Sequence, residues 1–137
     1  MHNLEAEFRR DQPALPPIKI AQDESQRLSS LANSTMDLFP RVAQFLAREL
    51  DRATVAAEND LRGVVRMGSK VTYRDDETGA TRDIVLVYPH EANIELGRIS
   101  ILTPVGAALI GLSVEQRIAF ETPDKRTKGL TVLAVSE

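Results

Sequence analysis

Apolar residues recur along this chain at two spacings, and the change falls near residue 64. Over residues 21–55 the spacing is three or four. Leu28, Leu31 and Ala32 fall on one side of a first helix. Asp23 is placed to cap that helix, with Glu24 in the first turn, where a carboxylate suits the positive end of the helix dipole. The polar run at 33–35 (NST) weakens it, because short polar side chains compete for backbone hydrogen bonds. Pro40 opens a second helix at its first position, where a missing N–H costs nothing. Val42, Phe45, Leu46, Leu50 and Ala53 make its stripe, with Arg41, Arg48, Glu49, Asp51 and Arg52 largely outside. Two such helices with a short loop predict an antiparallel hairpin. Each is short, about 15–21 Å for roughly ten to fourteen residues at the α-helical rise. Residues 1–20 carry Pro13, Pro16 and Pro17 with no period and read as a mobile tail, with Lys19 and Ile20 closing a short extended segment. Residues 56–63 read as a linker.

From residue 64 onward apolar positions alternate or run continuously. Val71 and Tyr73 alternate before the turn-like cluster 75–79 (DDETG). Residues 84–88 (IVLVY) form an unbroken β-branched run, as in a central strand covered on both faces. Residues 98–102 (RISIL) give a further strand. Thr103 then caps a short helix that starts at Pro104, carries Val105, Ala108 and Leu109 on its apolar face, and ends near Gly111. Ile118 and Phe120 alternate in the next strand, a turn around Pro123 follows, and Leu130, Val132 and Ala134 form the last strand. The fold class is α+β. A short helical hairpin precedes an antiparallel sheet wrapped on one short helix over residues 64–137. On this reading 64–137 folds without the hairpin, since short helices depend on packing.

Composition narrows the chemistry. The chain has 137 residues and a net charge of −3, so no overall field draws it to nucleic acid or anionic membrane. Without cysteine, disulfides and thiolate metal sites are excluded. No apolar run reaches the length of a membrane span, and residues 1–12 lack a signal-peptide core, which makes the cytoplasm the expected compartment. The two histidines, His2 and His90, have no neighbours at metal-ligand spacing and no partner for a nucleophilic triad. Asp75, Asp76 and Glu77 lack the spacing of a calcium loop and read as a solvated turn. No phosphate loop or dinucleotide fingerprint is present. Neither a catalytic residue, a metal nor a cofactor is expected.

One block has a more specific character. Residues 102–112 (LTPVGAALIGL) resemble the Ser-Pro…Ala-Leu-Leu-Gly block of the Gre-factor C-terminal domain. Three further stretches match in order and spacing: 64–82 (VVRMGSKVTYRDDETGATR), 84–93 (IVLVYPHEAN) and 120–123 (FETP). Together they span residues 64–135. The resemblance implies an FKBP-like fold, with RNA polymerase as partner. It implies docking on the largest-subunit rim of the secondary channel through Leu102, Thr103 and Pro104. The residues alone make these three a strand end and a helix cap. Cleavage-stimulating Gre factors carry a long coiled coil with an acidic, magnesium-holding tip. Here the hairpin is short and its tip, 33–40, has one carboxylate, Asp37. The spacing is similar to the Rnk group, whose name links it to regulation of nucleoside diphosphate kinase. A non-catalytic regulator that competes with Gre factors is therefore implied. An FKBP-like peptidyl-prolyl isomerase and a binding module for another protein are the alternatives. Glu115-Gln116 stands where many relatives have a Gly-Asp turn, and Leu102 where cleavage factors often have a polar or acidic residue. If Leu102 is exposed, Leu102→Asp should keep a near-native melting temperature and lose polymerase.

Overall fold

The computed structural model describes residues 15–137. The tail expected over 1–20 therefore lies mostly outside the described residues, but its last part does not behave as a tail. Ile18 and Ile20 are 1% and 2% exposed. Lys19–Ala21 (β1) pairs in parallel with Thr54–Ala56 (β2), Lys19 opposite Thr54. The extended segment expected at Lys19 and Ile20 is thus a paired strand, and the prolines ahead of it are compatible with that, because they remove backbone donors without preventing an extended chain.

β1 runs straight into the first helix, Gln22–Thr35 (α1). Asp23 therefore sits inside the first turn, and Ala21 occupies the cap position without a side-chain bond. The helix survives the polar run at its end, where the Thr35 hydroxyl donates back to the Leu31 carbonyl at 2.8 Å. Pro40–Arg52 (α2) follows, with Pro40 in its first turn. Leu28, Ala32, Ala43 and Leu46 are buried, as the stripes require. Glu49 departs from the expected pattern. It is 2% exposed, and its carboxylate receives two 2.8 Å bonds from the Arg52 guanidinium one turn on. The segment 56–63 is likewise no free linker. It contains a short 3₁₀ turn, Glu58–Asp60, and buries Leu61 against Ala21 and Val64.

The larger sheet has five strands: Lys70–Asp75 (β3), Thr81–Val87 (β4), Arg98–Ser100 (β5), Arg117–Glu121 (β6) and Thr127–Ser136 (β7). Their order is β5-β4-β3-β7-β6. β3, not the IVLVY strand, is central. β4 lies one place from the edge and its Val85 is only half-buried. The sheet is mixed rather than antiparallel throughout, because β5 pairs with β4 in parallel. A bulge between β3 and β7 places Thr72 opposite Ala134 and Tyr73 opposite Val132, leaving Leu133 unpaired. One extra residue reverses the alternation, so Ala134 is exposed and Val135 takes the inward place.

The short helix Pro104–Leu109 (α3) packs against α2 and β6 and is buried from Gly106 to Leu109. Its neighbours make one core, in which Ile18, Leu28 and Leu46 from the hairpin side touch the same cluster as Val65, Leu86, Leu109, Leu112 and Val132. After α3, the turn at 113–116 holds Glu115 at φ +76°. A side chain in that left-handed region is strained. Glycine there removes the strain, so Glu115→Gly is expected to stabilise the protein by about 1 kcal/mol. A denaturant midpoint that does not rise would show the turn to be relaxed as it stands.

Candidate functional site

The block 102–112 is held by a small knot of hydrogen bonds. The Thr103 hydroxyl accepts from the Gly106 amide at 3.0 Å and donates to the Ser100 carbonyl at 2.7 Å. The Ser100 hydroxyl accepts from the Leu102 amide at 3.0 Å. This ties the end of β5 to the first turn of α3 and leaves no room for a side chain at Gly106. A Cβ there would lie 2.2 Å from the Ser100 carbonyl oxygen. Gly106→Ala is therefore expected to cost about 1–3 kcal/mol, because backbone must move to admit the methyl. An unchanged melting temperature would mean that the knot yields freely.

Leu102 and Pro104 form one wall of a groove of about 640 Å³. The opposite wall is the N-terminal part of α2 with the residue before it: Phe39, Arg41, Val42, Phe45 and Arg48. Glu121 and Pro123 line the same groove from the β6–β7 side. The Arg41 guanidinium donates to the Pro123 carbonyl at 3.4 Å, bridging the two walls. Thr103 does not line this groove. It faces a second hollow of about 390 Å³ with Tyr73, Ile99, Val105 and Phe120, and Pro104 and Pro123 stand between the two. Burial raises the Tyr73 phenol, and the Lys128 ammonium beside Asp75 holds that carboxyl below the usual carboxylate range. The stability this gives is present above the normal carboxylate pKa and is lost as pH falls through the lowered one.

Of the residues singled out in the sequence, Leu102 and Pro104 come together with α2, while Asp37 stays apart. Asp37 is exposed on the loop between the helices and does not line the groove. The residues that sequence reasoning missed are Phe39, Arg41 and Arg48. Phe39 is 51% exposed, and next to it Leu38 is 73% exposed. An apolar pair placed before a helix-opening proline was a legible sign of an unburied apolar tip. Leu102 is half-buried and packed on the core. The condition on the Leu102→Asp experiment is therefore not met, since a charge there would disturb fold and surface together. Among the described residues no three histidine, aspartate or glutamate side chains gather as metal ligands do, and no helix is long and apolar enough to cross a membrane.

Comparison with known proteins gives this groove its context. Residues 59–137 match the family model "Transcription elongation factor, GreA/GreB, C-term", and residues 16–55 match "Rnk N-terminus". The chain is 34% identical over 119 residues to the regulator of nucleoside diphosphate kinase of Escherichia coli (strain K12), covering 86% of this chain and 88% of that protein. It is 40% identical over 87 residues to transcription elongation factor GreA of Chloroflexus aggregans, which covers 63% of this chain and 55% of that factor. Among solved structures it is similar to the elongation factor GreA/GreB from Nitrosomonas europaea, with a TM-score of 0.69 and 31% identity over 89% of this chain and 99% of the other. These relatives are named as regulators and elongation factors. The two family matches meet between residues 55 and 59, so hairpin and sheet are covered in turn. The chain belongs to the GreA/GreB transcription elongation factor family, in the branch that carries the Rnk N-terminal region.

Proposed function

We propose that this protein is a non-catalytic regulator that binds RNA polymerase at the rim of the secondary channel, on the largest subunit. In this reading it competes there with Gre factors and does not stimulate transcript cleavage. The observation that carries the proposal is the shared groove. Leu102 and Pro104 from the family's docking block and Phe39, Val42 and Phe45 from the hairpin form one continuous concave surface. A concave, largely apolar surface with arginines on its rim suits a protein partner better than a small substrate. The curled sheet around α3 is read as FKBP-like, and Leu102, Thr103 and Pro104 as the docking residues, with Thr103 acting by holding the block. The compartment that goes with this partner is the cytoplasm. The link to nucleoside diphosphate kinase, printed in a relative's name, is carried over here as a regulatory connection.

Two features favour the absence of cleavage. α1 and α2 have 14 and 13 residues, so the hairpin is only about 20 Å long at the helical rise. Its tip offers Asp37 as the single carboxylate, and a hard cation needs several oxygen ligands. Stalled polymerase complexes are expected to release no more cleaved transcript with the protein than without it. Magnesium-dependent cleavage that vanishes in Asp37→Ala would reverse this reading.

Docking is better probed at Phe39 than at Leu102. Phe39 occupies the cap position of α2 and is half exposed, and aspartate is a favoured cap residue. Phe39→Asp should keep or raise the melting temperature. It should weaken competition against a cleavage factor about tenfold or more, as loss of an interface anchor does. A folded variant that competes as before would place the docking surface elsewhere.

A further inference from the structure

The two edges of the larger sheet are finished differently. Beside β5 the chain folds back on itself. The Asn93 amide donates to the Arg98 carbonyl and the Arg98 amide to the Asn93 carbonyl, both at 2.9 Å. That edge is covered by its own chain. The other edge is β6, which pairs with β7 alone.

In an antiparallel ladder every second residue bonds the neighbouring strand, and the residues between turn their backbone groups the other way. The bonds flanking β6 fix which are which. The Thr122 amide donates to the Arg126 carbonyl at 2.8 Å, and the Val132 amide donates to the Gln116 carbonyl at 3.0 Å. In that phase Ile118 bonds Leu130 and Phe120 bonds Lys128, each directly opposite. The N–H and C=O groups of Arg117, Ala119 and Glu121 therefore point away from the sheet, and none bonds another described residue.

This edge is complementary to itself. Residues 117–121 (RIAFE) read basic, apolar, small, apolar, acidic, with Ala119 at the centre. Two copies laid antiparallel about a two-fold axis at Ala119 bring Arg117 of each opposite Glu121 of the other. The outward backbone groups then meet their counterparts, and the opposite charges face each other across the joined strands. Arg117 and Glu121 are both exposed. Glu121 forms no ion pair with another described residue. Arg117 bonds Asp76 through Nε at 3.2 Å, yet its side chain is 67% exposed, so guanidinium donors remain for a second carboxylate. A register shift of two residues in either direction puts a charge opposite Ala119 and loses both ion pairs. Parallel pairing in register sets like charge against like.

We propose that two copies of this chain join through β6, antiparallel about Ala119, so that their five-stranded sheets become one continuous sheet. Ile118 and Phe120 are already 1% and 7% exposed in each copy, so joining adds backbone bonds and ion pairs but little apolar burial. The association is accordingly weak, with a dissociation constant on the order of 100 μM.

Sedimentation equilibrium of the full chain, from about 5 to 500 μM, brackets that constant. The mass is expected to rise from 15.1 kDa toward twice that value. Glu121→Arg sets like charges opposite each other at both ends of the pair and should weaken the dimer about fivefold or more. Its melting temperature should hold, because Glu121 is exposed. Glu95→Arg makes the same change in net charge at an exposed site beyond the opposite edge and should leave the dimer as it is. Ala119→Pro removes an N–H that bonds nothing within the chain, as proline on an edge strand does, and should abolish the dimer. If that variant does not fold, Glu121→Arg still decides. A mass of one chain at the highest concentration overturns the proposal. So does a dimer that Glu121→Arg leaves unchanged, or one that Glu95→Arg weakens equally.

Discussion

A fragment of residues 64–137 is expected to lack a cooperative thermal transition, although its sequence reads as a self-contained sheet domain. Val65, Leu109, Ile110 and Leu112 are each no more than 1% exposed, and their cluster includes Ile18, Ile20, Leu28 and Leu46 from the other part. Burial of a large aliphatic side chain is worth about 1.5–3 kcal/mol, so these four contribute roughly 6–12 kcal/mol. That is comparable to the whole stability of a domain, about 5–15 kcal/mol. Cutting the chain also exposes the facing residues. Gly111 shows how close the two parts lie. It sits at φ +81°, a Cβ on it would be 3.0 Å from both the Ile18 side chain and the Lys19 carbonyl, and its own carbonyl accepts from the Lys19 amide at 3.1 Å. Melting followed by near-ultraviolet circular dichroism decides the matter. A sharp transition near that of the full chain would show two separate cores.

Arg52→Ala is expected to destabilise the protein by about 3 kcal/mol, the scale on which a buried charge responds to losing its partner. The Glu49 side chain is 3% exposed and the Arg52 side chain 23%. Alanine removes both guanidinium bonds to Glu49 and the bond to the Pro16 carbonyl, leaving a carboxylate in the interior. In a chain of this size the melting temperature should fall by roughly 6–12 °C. Changing both partners to apolar residues, Glu49→Leu with Arg52→Leu, is expected to recover most of the loss, because no unpaired charge then remains. If the single and double variants melt together, the pair contributes through packing alone.

These cases mark where the sequence was readable. Spacing located α1, α2 and the five strands of the larger sheet because each turns one apolar face inward, and that signal is local. Thr103 and Pro104 were legible as cap and first turn for the same reason. Glu49 was misplaced because a charge counts as outward until a partner one turn away neutralises it. Ala134 was misplaced because a bulge is decided by the neighbouring strand. Ile18 was assigned to a tail because its partner strand is 36 residues further on, Thr54–Ala56. The groove was only half legible. Its family-like wall lies in one continuous block, whereas Phe39, Arg41 and Arg48 join it only when α2 packs beside α3.

The parallel pair of β1 and β2 bears on how the hairpin moves. Each strand joins a helix directly, Ala21 running into Gln22 and Arg52 through Ala53 into Thr54, so no flexible joint separates the arm from its base. A hinge would need a few residues free to change their backbone angles, and these are held in a ladder. Swinging the arm therefore means unzipping β1 from β2 and withdrawing Ile18 and Ile20 from the interior. Small angular drift of the arm is opposed by that ladder and by the buried Ile18 and Ile20. The helix that forms one wall of the groove is thus anchored at its far end by a strand pair that does not itself line the groove.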